Sequence, residues 1–231
     1  MKNTQIITVI NQKGGVGKTT TVINLAAGLA RQSKKILIID LDPQGNATTG
    51  LGLSNVESSN DTIYAVLNGT KSISDVIKKT QFDNLDLITS NVDLSGLEIE
   101  TAGDSKRAFI LKYRLEAFLN NFKSSYSYIF VDCPPSLSLL TVMALVTSSS
   151  LVVPLQTEFF ALEGLTQLMK TIERIKVNLN PNLKIRGILL TMYDKRNKLS
   201  SQVEKEARDY FKNQVYSTVI PRNVRLGFKL T

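Results

Sequence analysis

Short runs of apolar, largely β-branched residues alternate along this chain with longer stretches in which apolar residues recur every three or four positions. The short runs are QIITVI (5–10), KILIID (35–40), LDLIT (85–89), YSYIFVD (126–132), LVVPL (151–155), IRGILLT (185–191) and VYSTVI (215–220). Between them lie stretches such as TTTVINLAAGLARQ (19–32) and LEGLTQLMKTIERIKVNL (162–179). Three- and four-residue apolar spacing predicts amphipathic helices, and near-continuous apolar runs predict strands buried on both faces. The alternation therefore predicts an α/β fold: a doubly wound, mostly parallel sheet with helices on both faces. No repeat, low-complexity tract or linker interrupts the pattern, so a single domain over residues 1–231 is expected. The Ser/Asn-rich SNVESSND (54–61) predicts one long loop, followed by two short helices around Tyr64 and Ile77.

Composition narrows the chemistry. With 42% hydrophobic and 21% charged residues the chain reads as an ordinary globular protein. A single cysteine, Cys133, rules out an internal disulfide framework and any site needing several thiolates from one subunit. The chain contains no histidine, which removes His-based acid–base catalysis and His-ligated zinc and leaves carboxylates, lysines, hydroxyls and backbone amides. The apolar run at the N-terminus is too short for a secretory signal or a membrane span, so a cytoplasmic location is expected.

Charge is unevenly spread. Of the formal net charge of +8, the stretch from Lys170 onward holds 14 Lys or Arg against 5 Asp or Glu, leaving the earlier residues close to neutral. Localised positive charge suits a polyanion, because Lys and Arg contacts to phosphates release condensed counterions; a solvated basic face is the other reading.

Three strings carry candidate chemistry. NQKGGVGKTT (11–20) follows the first predicted strand and opens the first predicted helix. Glycines there let successive N–H groups of Gly14, Gly15, Val16 and Gly17 turn inward as an anion-binding nest, and the start of the helix at Lys18, Thr19 and Thr20 adds its positive dipole end. Lys18 reaches the terminal phosphates of a nucleotide, and the Thr19 hydroxyl is a Mg²⁺ ligand. The strict GxxxxGK(S/T) pattern is not met, since Gln12 stands where its first glycine belongs. IIDLDPQGNATTGLG (38–52) places Asp40 and Asp42 at the C-terminal end of the second strand, where open parallel sheets bind ligands. One of these two is suited to orient an attacking water and the other to steady Mg²⁺ or the loop. YIFVDCPPS (128–136) is an apolar strand ending in Asp132, a Walker B arrangement that holds Mg²⁺. Cys133 reads as a small buried residue, with no histidine to activate it.

The KGGVGKT form, with Lys13 ahead of the paired glycines, resembles the deviant Walker A motif of the superfamily that includes ParA, MinD and the nitrogenase iron protein. DLDPQGNAT, QTEFFALEGL (156–165), LTMYDKRNKLS (190–200) and VIPRNVRL (219–226) look like the ParA/Soj branch, the chromosome- and plasmid-partitioning ATPases. The resemblance implies a Mg²⁺-dependent ATPase that forms an ATP-dependent homodimer, binds nonspecific double-stranded DNA on the nucleoid, and is stimulated by a ParB-type DNA-binding protein. It assigns Lys13 to the partner subunit's phosphates, as an arginine finger acts. It assigns Asp42 to the attacking water, Asp40 to the neighbourhood of the metal, Pro221 and Arg222 to the adenine pocket, and Arg196 and Arg225 to DNA. MinD-like proteins add a C-terminal amphipathic membrane helix, which RLGFKLT does not resemble, so no membrane role is expected. One cysteine cannot supply the iron protein's intersubunit cluster. A MinD-like positioning ATPase, a nucleotide-gated binder with negligible turnover and a P-loop enzyme acting on a small metabolite are the alternatives. Where the family continues with a Ser-Glu-Ala-Pro segment, a strand and a helix, this chain reads GFKLT, so the last strand and helix are expected to be lacking.

Overall fold

The structure, a computed structural model, describes residues 4–53, 59–121 and 126–223. The elements in chain order begin with β1 (Gln5–Val9), α1 (Lys18–Arg31), β2 (Ile36–Asp40) and α2 (Asn46–Gly50). There follow α3 (Ile63–Leu67), α4 (Ile73–Val76), β3 (Ile77–Lys79), β4 (Leu85–Ile88), α5 (Leu97–Glu100) and α6 (Ile110–Asn121). The remainder comprises β5 (Tyr128–Asp132), α7 (Leu139–Thr147), β6 (Ser150–Gln156), α8 (Ala161–Asn178), β7 (Lys184–Tyr193), α9 (Lys198–Phe211) and β8 (Val215–Pro221).

These strands form one eight-stranded sheet in the order β3-β4-β2-β5-β1-β6-β7-β8. Every neighbouring pair is parallel except β3 with β4. Seven of the eight strands lie where apolar runs predicted them. The eighth corrects the expectation of a helix around Ile77. A capping box from Ser72 and Asp75 starts α4, but Ile77 turns extended and opens a three-residue edge strand, with Ile77 opposite Ile88. Two β-branched or apolar faces meeting across an edge outweigh one more helical residue there.

Alternate strand residues serve opposite faces, as a two-residue period requires. Leu37, Ile39, Ile129 and Val131 pack with α3, α4, α6 and α7, whereas Ile36, Ile38, Leu85, Leu87 and Phe130 pack under Val22, Ile23 and Ala26 of α1. A third cluster joins Leu151, Val153, Ile188 and Leu190 to Leu165, Leu168 and Ile172 of α8 and to Val203 and Ala207 of α9. All five residues of β2 are fully buried, and complete burial of each Ile or Leu side chain contributes about 1.5–3 kcal/mol. This core sets the strand ends that matter: the register puts Val9, Asp132 and Asp40 side by side at the C-terminal edge of β1, β5 and β2. Among the described residues no helix is long and apolar enough to cross a membrane.

Candidate nucleotide site

β1 delivers the chain into the loop 10–17, and two glycines there adopt the left-handed region, Gly15 at φ +74° and Gly17 at φ +89°. A side chain at either position is strained in that backbone, so the turn that starts α1 depends on glycine. Gly17 is itself the N-cap of α1 and offers no side-chain cap, which leaves the first N–H groups of the helix directed at whatever lies in front of them. Neighbouring strands brace the loop. The buried Asn11 side chain donates to the Pro154 carbonyl (2.7 Å) and accepts from the Lys13 N–H (3.0 Å), while the Thr191 hydroxyl donates to the Val16 carbonyl (2.9 Å). Val16 is buried, Thr19 half-buried and Thr20 exposed at the first turn.

The two lysines differ sharply. Lys18 is buried, and its ammonium donates to the Lys13 carbonyl at 3.0 Å. Burial lowers its pKa, an effect opposed by the Asp132 and Asp42 carboxylates. Lys13 is exposed, and its ammonium pairs with Glu158 on the segment that leads from β6 into α8. The Lys13–Glu158 pair joins residues 145 apart in the chain, and although Glu158 lies in the string QTEFFALEGL, no sequence pattern assigned it a role.

The three aspartates stand in three environments. Asp40 is fully buried, and both its oxygens are engaged: Oδ1 accepts from the Asp42 N–H (3.1 Å), and Oδ2 accepts from the N–H and hydroxyl of Thr48 (2.8 Å each). Burial pushes its carboxyl up to about 6, with the Thr48 and Asp42 hydrogen bonds acting in the other direction and the Asp42 charge raising it further. Asp42 accepts from the Gln44 N–H through Oδ1 at 3.0 Å and is almost fully buried. Asp132 is fully buried, and neither of its oxygens has a hydrogen-bond partner. Burial drives its carboxyl well above the usual range, and the neighbouring charge of Asp40 adds to this. The Thr19 hydroxyl beside it and the Lys18 ammonium favour its charged form. Beside it the free, buried Cys133 has its thiol pushed up by the same burial.

An unpartnered buried carboxylate costs free energy unless something cationic comes to it. Asp132 with Thr19 fits the modest protein donor set of a Mg²⁺ ion that is held mainly by phosphates and water. Among the described residues no group of three or more His, Cys, Asp or Glu side chains converges on one metal position. Asp40 stands beside Asp132 in the register of β2 and β5, and its oxygens serve the loop 42–48.

Other expected residues gather elsewhere. β8 lies three strands from β1, roughly 14 Å at the usual strand spacing. There a cleft of about 620 Å³ is lined by Tyr193, Asp194, Arg196, Pro221 and Arg222 among others. The Arg222 N–H donates to the Tyr193 carbonyl at 3.0 Å. Arg196 forks onto Asp194 with two contacts of 3.1 Å, and its side chain is 91% exposed. Thus the residues expected at adenine and one expected at DNA border a single cleft. Arg225 lies outside the described residues.

A parallel sheet whose middle strand feeds a glycine nest and a helix N-terminus, with a buried lysine and strand-end aspartates around it, defines a P-loop nucleotide-binding protein of the α/β class. Residues 4–185 match a family described as an AAA domain. The chain is 51% identical over 223 residues to the chromosome partitioning protein ParA of Caulobacter vibrioides, covering 96% of this chain and 82% of that one. It is 49% identical to the sporulation initiation inhibitor protein Soj of Bacillus subtilis, covering 96% and 86%. Among solved structures it resembles cobyrinic acid a,c-diamide synthase from Mycobacterium smegmatis with bound ADP and magnesium (TM-score 0.88, 35% identity, covering 97% and 89%). It also resembles a plasmid partition protein from Borrelia burgdorferi (TM-score 0.80, 27% identity, covering 97% and 92%). The chain belongs to the ParA/Soj family of chromosome-partitioning ATPases.

Proposed function

We propose that this chain binds ATP with Mg²⁺ at the nest of Gly14, Gly15, Val16, Gly17, Lys18, Thr19 and Thr20, and hydrolyses it in a homodimer that holds nonspecific double-stranded DNA. The observation that carries this reading is Asp132, buried with both oxygens unpartnered near Lys18 and Thr19. Thr19 and Asp132 hold the metal, with Asp40 behind them. The bound ion supplies neutralising charge at the phosphate oxygens. Lys18 adds a positive charge, and its buried setting lessens the solvent screening of that charge's pull on the phosphates. Asp42 orients the attacking water and accepts its proton through a carboxylate held by the Gln44 N–H.

Lys13 serves the other subunit: it exchanges Glu158 for the partner's phosphates when two chains close on two nucleotides, so full charge stabilisation exists only in the dimer. Pro221 and Arg222 border the adenine. Arg196, with Arg225, contributes to a phosphate-binding surface that reads no sequence, and places the protein on the nucleoid. A ParB-type DNA-binding protein stimulates turnover and so releases the dimer from DNA.

Asp42→Ala tests the centre of this reading. It leaves ATP affinity within about twofold and lowers kcat by about 100-fold or more, so that light scattering with ATP finds a persistent dimer where the parent cycles. Turnover at the parent's rate would show that another group orients the water.

A further inference from the structure

Behind Asp42 runs a buried chain of hydrogen bonds that reaches the segment just past β4. The Ser90 N–H donates to the Thr48 hydroxyl oxygen (3.0 Å), and the Thr48 hydroxyl and N–H both donate to Asp40 Oδ2 (2.8 Å each). Asp40 Oδ1 in turn accepts from the Asp42 N–H (3.1 Å). The directions follow from chemistry. A backbone N–H only donates, so the hydroxyl's single proton is free to point at Asp40. Ser90, Thr48 and Asp40 are buried and Asp42 nearly so, so no water competes with these bonds.

The surrounding turn fixes the same geometry. The Gly45 N–H donates to the Asp42 carbonyl (2.8 Å), the Thr49 N–H donates to the Gly45 carbonyl (2.9 Å), and the Gln44 N–H holds Asp42 Oδ1 (3.0 Å). Gly45 has φ +61°, and a Cβ there would stand 3.3 Å from the Ser90 carbonyl oxygen, so the turn lies directly against the end of β4. The backbone of Asp42 is thereby anchored from two sides, by its own turn and, through Asp40 and Thr48, by Ser90.

We infer that Thr48 is a positioning residue for hydrolysis: its hydroxyl links the Ser90 backbone to Asp40 and so fixes the orientation of Asp42. This rests on Asp42 as the water-orienting group. The Thr48 hydroxyl is engaged by Asp40 and the Ser90 N–H, so it acts through Asp42. A displacement of about 1 Å in a reacting group costs up to about 100-fold in rate, whereas nucleotide affinity rests on the nest and Lys18, which the chain of bonds does not include.

The test compares Thr48→Val, which keeps the shape and removes the hydroxyl, with Thr48→Ser, which keeps the hydroxyl. Thr48→Val lowers kcat by about 10- to 100-fold with the Kd for ATP unchanged within about twofold, and Thr48→Ser restores kcat to within about threefold of the parent. Combining Thr48→Val with Asp42→Ala gives no further loss beyond Asp42→Ala alone, because both act through one carboxylate. Thr48→Ala stands in if the valine variant does not fold. Parent-like kcat in Thr48→Val beside an inactive Asp42→Ala overturns the inference while leaving Asp42 in place. So does a serine variant as slow as the valine, or loss of ATP binding in both Thr48→Val and Thr48→Ala, which would make the hydroxyl a scaffold. Full activity of Asp42→Ala overturns the assignment of Asp42 and this inference with it.

Discussion

Where β1, β2 and β5 end, Lys18, Asp40, Asp42 and Asp132 are buried or nearly so. Where β7 and β8 end, Asp194 and Arg196 pair at the surface, the arginine in open solvent. Both regions collect charge, but they handle it differently. In the first, burial moves the carboxyls of Asp40 and Asp132 upward and the Lys18 ammonium downward, so each group's state depends on its neighbours. In the second, the Asp194 hydrogen bonds hold Arg196 still more firmly charged, and Arg196 holds the Asp194 carboxyl below the usual range. Single residues therefore decide chemistry in the buried region, whereas exposed charges act only as members of a collective field.

The largest effect belongs to Lys18. Removing a buried cation beside the nest should lower ATP affinity by about 100-fold or more in Lys18→Ala, measured by titration calorimetry. Unchanged affinity would break the comparison at its root, since the buried region would then not be the phosphate site.

Asp132→Asn comes next and moves stability and activity in opposite directions. Turnover with Mg²⁺ falls to background. The folded-state carboxyl of Asp132 is raised, so its protonated form is the favourable one; that stability is present at low pH and is lost as the pH rises and the buried group ionises. Asp40, pushed up to about 6, behaves alike, with its contribution complete below about 4 and lost as the pH rises past 6. An asparagine never ionises. Without nucleotide or Mg²⁺, Asp132→Asn should therefore melt higher than the parent at pH 8, by about 2–4 °C for each kcal/mol relieved, and the gap should close as the pH falls. A variant that melts lower at pH 8 would mean that Asp132 is stabilised by the fold rather than held ready for a cation.

The smallest effect is expected at Arg196. Arg196→Ala should weaken binding to duplexes of unrelated sequence alike and flatten the salt dependence by about one contact per subunit, without moving the melting temperature. Asp194→Asn sharpens the point: freeing the arginine from its neighbour should strengthen DNA binding. If neither variant changes the salt slope, the exposed charges of this cleft serve something other than DNA.

Much of the fold was readable because its signals are local. Seven apolar runs and the helical spacing between them mark seven strands and the main helices, and the glycine-rich string between the first strand and helix marks the phosphate nest. The three-residue β3 escaped because an antiparallel edge strand is decided by its partner β4, and Ile77 alone does not distinguish it from a further residue of the short helix α4. Glu158, Thr48 and Ser90 escaped for a related reason. Each acts through a residue far along the chain, Lys13 for Glu158 and a contact across 42 residues for Ser90 with Thr48, and none has a spacing that advertises it.

What the sequence determined alone is the set of elements and the groups available to bind phosphate, because periodicity and glycine spacing operate over a few residues at a time. Which of those groups is charged, which is paired and which is left without a partner was decided only by the tertiary structure. Asp40 and Asp132 both end apolar strands and look equivalent in sequence. The strand order sets them side by side, gives one the donors of Thr48 and Asp42, and leaves the other buried without any. Desolvation and hydrogen bonding come from residues that only the sheet brings near, and they set the ionisation on which the chemistry of the site depends.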